Sequence, residues 1–233
     1  MDIAGATALV TGANRGLGRH LAQQLIERGA TVYAGARNPD AVDLQGAIPI
    51  RIDITDEASI AAAAEVVDGL TLLVNNAGIA TGATFLDGSS DDIRRDMDTN
   101  YYGTLAVTRA FAPQLALAPG RSGILNVLSV LSWYTLDGFG AYSAAKSAAW
   151  SLTNALRNEL APRGTQVTAL HVAFVDTDMA RNVTAPKADP AEVARLALDG
   201  VEDGLEEVLA DDVSRRVQAG LAGGVRALYP KAA

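Results

Sequence analysis

The chain has 233 residues, 49% of them hydrophobic and 20% charged, which is enough apolar material to bury the core of one α/β unit. Its 27 acidic against 19 basic side chains leave a formal charge of −8 and a pI near 4.7, an acidic balance that argues against a groove built to hold nucleic-acid phosphates. With no cysteine, disulfides, thiolate catalysis and thiolate-bound zinc or iron–sulfur are excluded as well.

The first five residues carry no basic stretch, and no apolar run approaches the ~20 residues of a membrane span, so a soluble, cytoplasmic chain is expected. Residues 6–10 form a short apolar run with β character. Directly after it come Thr11, Gly12, Ala13, Asn14, Arg15, Gly16, Leu17 and Gly18, and then helical apolar spacing from His20 to Ile26. A strand, a glycine turn and a helix in that order suit a pyrophosphate: the glycines let the backbone approach it, and the helix N-terminus attracts its charge. The glycine spacing, Gly-x3-Gly-x-Gly, departs from the Gly-x-Gly-x2-Gly dinucleotide pattern.

Further β-like runs follow at 31–34, 48–52, 70–74, 123–128, 166–172 and, shorter, 207–210, with helix-like segments between them. Alternation of this kind predicts an α/β fold of about seven parallel strands with helices on both faces, and the absence of repeats or linkers predicts a single domain over 1–233. After the second strand an NAD enzyme places an acid on the adenosine ribose. This chain has Ala36 and Arg37 there, and Arg15 adds a second cation, a pair suited to gripping a 2′-phosphate and so to NADP(H).

Asn75, Asn76, Ala77 and Gly78 follow the fourth run and so fall at the carboxyl end of the sheet, where α/β folds bind ligands. A helical stretch from Asp91 to about Leu117 holds Asn100 midway, an unusual interior helix residue whose side chain competes for backbone groups. Tyr142 and Lys146 lie four apart on one face of a helix over 142–160, and Ser129 lies thirteen residues before the tyrosine. An ammonium beside a phenol favours the phenolate, lowering its pKa from ~10 and making it a usable acid or base, with Ser129 a second hydroxyl for the same substrate oxygen. Leu131, Trp133, Tyr134, Leu136, Phe139 and Phe174 cluster around these groups and predict an apolar pocket for a hydrophobic or aromatic carbonyl compound. No metal is expected, since two histidines without cysteine offer little for one, and His20 and His171 are read as packing or surface residues.

Thr11-Gly-x3-Gly-x-Gly18, Asn75-Asn76-Ala77-Gly78, Asn100, Ser129, Tyr142-x3-Lys146 and Val175-x-Thr177 stand in an order and spacing that resembles the short-chain dehydrogenase/reductase family across essentially the whole chain. The resemblance implies a Rossmann-type sheet, a nicotinamide cofactor and a Ser-Tyr-Lys centre assisted by an Asn. On that resemblance Ser129, Tyr142, Lys146 and Asn100 are catalytic, Asn100 holding a water that links Lys146 to solvent. Cofactor contacts are implied at Thr11, Gly12, Asn14, Arg15, Gly16, Leu17, Gly18, Ala36, Arg37, Asp53, Ile54, Asn76, Ala77, Gly78, Asn100, Tyr142, Lys146, Val175 and Thr177. Asp53 corresponds to the acid near the adenine, and Val175 and Thr177 to groups on the nicotinamide amide.

A segment around 178–192 is implied to cover the substrate, and the helices over 91–117 and 142–160 to pair across a two-fold axis in a homodimer or homotetramer. Val172-Ala173 replaces the Pro-Gly the family often carries after the sixth strand, which puts the backbone path to Val175 in question. The resulting expectation is an NADPH-dependent carbonyl reductase, working as an alcohol dehydrogenase in reverse. A non-catalytic NADP(H) sensor on the same fold is the alternative.

Overall fold

The computed structural model describes residues 1–118 and 120–229. Among these, β1 (Thr7–Thr11), β2 (Thr31–Ala36), β3 (Ala47–Arg51), β4 (Leu72–Asn75), β5 (Ser122–Val127), β6 (Thr165–His171) and β7 (Glu207–Leu209) form one parallel sheet in the order β3-β2-β1-β4-β5-β6-β7. Every strand lies within two residues of its run in the sequence. Parallel strands covered on both faces need near-continuous apolar stretches, and that is what made them visible.

The helices are α1 (Gly16–Glu27), α2 (Glu57–Val66), α3 (Ser90–Met97), α4 (Thr104–Leu117), α5 (Gly140–Leu160), α6 (Pro190–Asp203) and α7 (Asp212–Gly220), with a four-residue turn, α8, at Val225–Leu228. On one face α1 and α6 bury Leu21, Leu25, Val193 and Leu198 against Val10, Val32 and Leu170 of the sheet. On the other, α2, α4 and α5 bury Ile60, Phe111 and Leu156 against Leu9, Leu73 and Ile124. Val107, Phe111 and Leu156, apolar residues of the helices expected to pair between subunits, are therefore buried within the chain itself.

The strand order reverses between β1 and β4, which are direct neighbours although α1, β2, β3 and α2 separate them in sequence. Their onward connections leave in opposite directions and open a crevice at the carboxyl ends of the strands. The glycine turn after β1 and the Asn75–Gly78 run at the end of β4 both stand at its mouth.

The helical stretch expected from Asp91 to Leu117 forms without a break but is not α-helical throughout. α3 ends at Met97, Asp98–Gly103 make a π-helical turn, and α4 starts at Thr104. The widened turn holds Asn100, and single π turns inside helices recur at functional sites. Pro113 lies inside α4, where its missing N–H costs that helix one bond.

A chain of buried amides and hydroxyls ties this layer together. Asn75 Nδ2 donates to Thr108 Oγ1 (3.0 Å) on α4 and to Asn126 Oδ1 (2.9 Å) on β5, Asn126 Nδ2 donates to Thr153 Oγ1 (2.9 Å), and Thr153 Oγ1 donates to the Ala149 carbonyl (2.7 Å) of α5. Each member satisfies the next, so removing one strands its neighbours without partners. Asn126→Ala is expected to destabilise the protein by about 3 kcal/mol, read as a lower urea midpoint with an unchanged denaturant slope.

Candidate active site

The crevice is stitched by Thr11 and Asn76. Thr11 Oγ1 donates to the Val74 carbonyl (3.3 Å) and accepts from the backbone N–H groups of Asn76 and Ala77 (both 3.0 Å). Asn76 Nδ2 returns to the carbonyls of Thr11 (2.9 Å) and Gly12 (3.3 Å). Gly12 adopts φ +67°, open to glycine and strained for other residues, and a Cβ there would stand 3.1 Å from the Ala77 backbone. At Gly18 a Cβ would collide with Asn76 Nδ2 and the Gly12 carbonyl. The glycines thus bring α1 close under the loop.

The N-terminus of α1 has no side-chain cap and no acid in its first turn, so its free N–H groups face the crevice without a resident anion. Arg15 and Asn14 form the tip of the loop. Arg15 pairs with Asp178 at 3.3 Å, but both side chains are about two-thirds exposed (68% and 66%), so the pair is weakly held. Arg37 is exposed immediately after β2, next to buried Ala36, with Asp53 near enough to feel its charge but not paired with it. These residues fit a phosphorylated dinucleotide: a tight glycine cradle, an uncapped helix end, and two cations that are free or easily freed.

Asp53 sits beyond β3 and folds over its own turn, its Oδ1 accepting from the Thr55 N–H (3.0 Å) and hydroxyl (2.8 Å). Burial would raise its carboxyl, but the Thr55 hydrogen bonds and the nearby Arg37 and Arg51 charges outweigh it and hold it below the usual carboxylate range. Leu17 and Ile54 bury their side chains, Ile54 against Gly103 of the π turn, so any contact they make in the crevice is through the backbone.

The groups expected to react gather at the carboxyl end of β5. Lys146, 5% exposed, donates from Nζ to the Val127 carbonyl at 2.9 Å and stands 5.7 Å from the centre of the Tyr142 ring. Ser129 begins the turn after β5, where its Oγ accepts from the Leu131 N–H (3.1 Å) and reaches the Val172 carbonyl at 3.5 Å. Ser132, the competing hydroxyl three residues on, accepts from the Ser129 N–H at 3.4 Å and completes a capping box.

Asn100 reaches in from the π turn. Its Nδ2 donates to the carbonyls of Ile79 and Asp96, both at 2.9 Å, which leaves Oδ1 buried with no partner. A Cβ on Gly78 would fall 2.7 Å from that Oδ1 and 3.6 Å from Lys146 Nζ. Only glycine fits between them, and an unpaired acceptor faces the same small space as the ammonium.

The expectation that Lys146 lowers the tyrosine pKa is corrected. Burial dominates and pushes the Tyr142 phenol up to about 12, against the Ser129 hydrogen bond, which favours the phenolate. Lys146 aims its charge at the Val127 carbonyl and lies over the ring, and burial brings its own pKa down to about 8. The phenol is consequently protonated throughout the neutral range.

The apolar cluster divides in two. Leu131 and Trp133 are core, Trp133 stacking on the His171 ring at 3.9 Å. Phe139 stands 6.5 Å from the Tyr142 ring and 6.2 Å from Phe174, and the exposed Phe85 comes up against Gly140 to extend the same apolar wall. Phe85 lies in a loop with no periodicity, which is why sequence patterns passed over it. His171 is fully buried, with Nδ1 3.2 Å from the Ser129 carbonyl and Nε2 3.6 Å from Glu207 Oε1.

At the Val172-Ala173 departure the Ala173 N–H, which a glycine would also carry, donates to Asp211 Oδ2 (2.7 Å), the acid that also caps α7, and the path continues to a bridge between Val175 and Ala188. Thr177 emerges beside the glycine turn, its methyl 3.3 Å from where a Gly16 Cβ would be.

Residues 6–188 match the family model for short chain dehydrogenases. Carbonyl reductase (NADPH) 2 of Sus scrofa is 35% identical over 200 residues, 84% of this chain and 80% of that protein. NADPH-dependent 1-acyldihydroxyacetone phosphate reductase of Schizosaccharomyces pombe is 35% identical over 178 residues, 72% of this chain, and the match spans 60% of that protein's length. The crystal structure of a short chain dehydrogenase from Burkholderia cenocepacia J2315 in complex with NADP superimposes with a TM-score of 0.93 at 38% identity, covering 98% of this chain and 97% of that one.

Gly18→Ala tests the cradle directly. The added methyl meets the Gly12 backbone as well as Asn76, so relief requires moving β1's exit, and a loss of about 3 kcal/mol in urea unfolding is expected together with loss of nucleotide binding by fluorescence titration.

Proposed function

The chain belongs to the short-chain dehydrogenase family of oxidoreductases, and from that membership we propose that it is an NADPH-dependent carbonyl reductase that reduces an apolar or aromatic ketone or aldehyde. The observation that carries this reading is the meeting of Ser129, Tyr142 and a buried Lys146 at the end of β5, beside a glycine cradle with Arg15 and Arg37 at its rim. When bound, NADPH supplies the hydride.

Everything else falls to the protein. Gly12, Gly16 and Gly18 let the backbone approach the pyrophosphate, with Thr11, Asn76, Ala77 and Gly78 fixing that backbone. Arg15 exchanges its exposed partner Asp178 for the 2′-phosphate, and Arg37 approaches it from the end of β2. Asp53 accepts from the adenine amine, while Val175 and Thr177 orient the amide end. Lys146 holds the ribose and Asn100 Oδ1 accepts from a water that opens the site to solvent, which its missing partner supports.

Tyr142 gives a proton to the carbonyl oxygen as the alcohol forms, and Ser129 donates a hydrogen bond to that oxygen. A phenol still protonated at neutral pH is in the form that the donor role requires. Phe139, Phe174 and Phe85 supply an apolar wall for the substrate, and the segment around 178–192 covers it. The remaining expectations belong to this reading: one domain over 1–233, a cytoplasmic location, and a homodimer or homotetramer.

Cofactor oxidation by the purified protein with NADPH and NADH, against a panel of ketones and aldehydes, tests the proposal. Turnover that prefers NADPH and falls about 10²-fold or more in Tyr142→Phe is expected. Tight NADPH binding with no turnover on any substrate would indicate a nucleotide sensor. Arg37→Asp should reverse the cofactor preference by repelling the 2′-phosphate. Because burial depresses Lys146, its ammonium is lost as pH rises through about 8, so reduction should decline on the alkaline side there, well below the titration of Tyr142.

A further inference from the structure

Among the described residues, Asp96 is the one buried carboxylate and Lys146 the one buried amine or guanidinium. Asp96, with 0% exposure, is the last acid of the run Asp91-Asp92-Ile93-Arg94-Arg95-Asp96, whose other charges are at the surface or near it. Arg95 turns outward to Asp92 at 2.7 Å, so Asp96 has no cation of its own within 4.0 Å. A carboxylate buried with no ion pair is costly unless something offsets it.

Two features supply that offset. Thr81 holds the carboxylate from the loop after β4, its hydroxyl donating to Oδ2 at 2.6 Å and its N–H to Oδ1 at 3.3 Å. The second is the placement of Lys146: α3 packs on α5, and the backbone carbonyl of Asp96 is held by the same Asn100 amide whose other end shares the Gly78 space with Lys146 Nζ. With little water between them, opposite charges attract well beyond hydrogen-bond range.

We propose that Asp96 is a positioning residue, a buried carboxylate that keeps Lys146 in its charged form and so sets the alkaline limit within which the Tyr142–Lys146 pair works. The proposal rests on the reading of Lys146 as part of the reacting centre. The titratable groups acting on Lys146 are Tyr142, one turn back on α5, and Asp96 on α3; burial raises the Asp96 carboxyl above its usual range, against the Thr81 hydrogen bonds and the Arg95 charge that favour its ionised form, while Asp92 disfavours it. The carboxylate acts in one direction on both working groups: it favours the ammonium of Lys146 and disfavours the phenolate of Tyr142. Both effects preserve the protonated forms that reduction uses.

The chain has three lysines, Lys146, Lys187 and Lys231, so side-chain ¹⁵N NMR of lysine-labelled protein can follow Lys146 alone once Lys146→Met assigns it. Asp96→Asn, which retains size and a Thr81 contact, should bring the Lys146 titration down by about one pH unit, and the alkaline limb of NADPH-dependent reduction should move down with it. Thr81→Val removes the hydroxyl bond to Oδ2 but not the carboxyl itself, so it should lower the melting temperature, raise the pH at which Asp96 takes up its proton, and move the Lys146 titration far less than Asp96→Asn does.

An unmoved Lys146 titration in a folded Asp96→Asn protein overturns the proposal. A Lys146 titration that moves while the rate profile stays fixed supports the coupling and removes Lys146 from the rate-determining chemistry, so the two readings fail separately. Should Asp96→Asn not fold, the unmodified protein decides: its Lys146 resonance should show a second, acidic inflection as Asp96 takes up a proton, and a flat acidic limb overturns the proposal.

Discussion

An amine held where water barely reaches is the constraint around which this structure is organised. Lys146 has three protons to place and a positive charge to stabilise, and its helix fixes it under the end of β5. One proton goes to the Val127 carbonyl, a group free to accept because β5 ends there. The remaining polarity comes from its surroundings: the Asn100 carboxamide oxygen across Gly78, the Tyr142 ring face, and the carboxylate of Asp96. A buried charge of this kind survives only when neighbouring dipoles are fixed. The π turn that aims Asn100 and the glycine that admits it are therefore as much part of the site as the amine.

The polar network behind the site has the same logic. Asn75, Thr108, Asn126 and Thr153 connect α4, β4, β5 and α5 through buried hydrogen bonds, fixing the helix that bears Tyr142 and Lys146 to the strand whose end bears Ser129. Apolar residues of similar size would fill that space but would not specify register. The same division of labour holds at His171, whose ring stacks on Trp133 and sets its nitrogens against the Ser129 carbonyl and Glu207. Glu207 also accepts from Trp150 and Gln218, so the strand end carrying Ser129 is braced from β7 and α7.

Much of the fold was legible in the sequence because parallel strands announce themselves. A strand covered on both faces must be apolar throughout, and a glycine turn between a strand and a helix, ambiguous alone, gains its meaning from the motifs that follow it in order. What escaped the reading was whatever depends on which way a helix faces. Asp96 closes a run of four other charged residues that has the composition of a solvated helix face, yet a residue at that point of α3 turns inward onto α5. The π turn was equally hidden, since Asp98–Gly103 has no sequence signature, and its close approach to Ile54 and the Asn100 contacts to Ile79 and Asp96 appear only in the fold. His171 looked unpartnered for a similar reason, as Glu207 lies 36 residues on and meets it only because β7 pairs with β6.

The sign of the tyrosine shift is the most instructive difference. Sequence spacing places an ammonium one helical turn from a phenol and suggests a lowered pKa, which is correct if the charge faces the oxygen. Here the amine is committed to a backbone carbonyl and lies over the ring, so desolvation prevails and the phenol is held in its neutral form. Proximity in sequence gives the pair; the direction in which each group points decides what the pair does. A neutral phenol beside a depressed but still protonated amine is poised to give a proton away, whereas an abundance of phenolate would favour taking one. The balance between those states is set by whatever keeps the amine charged, the task proposed for Asp96, the one buried carboxylate among the described residues.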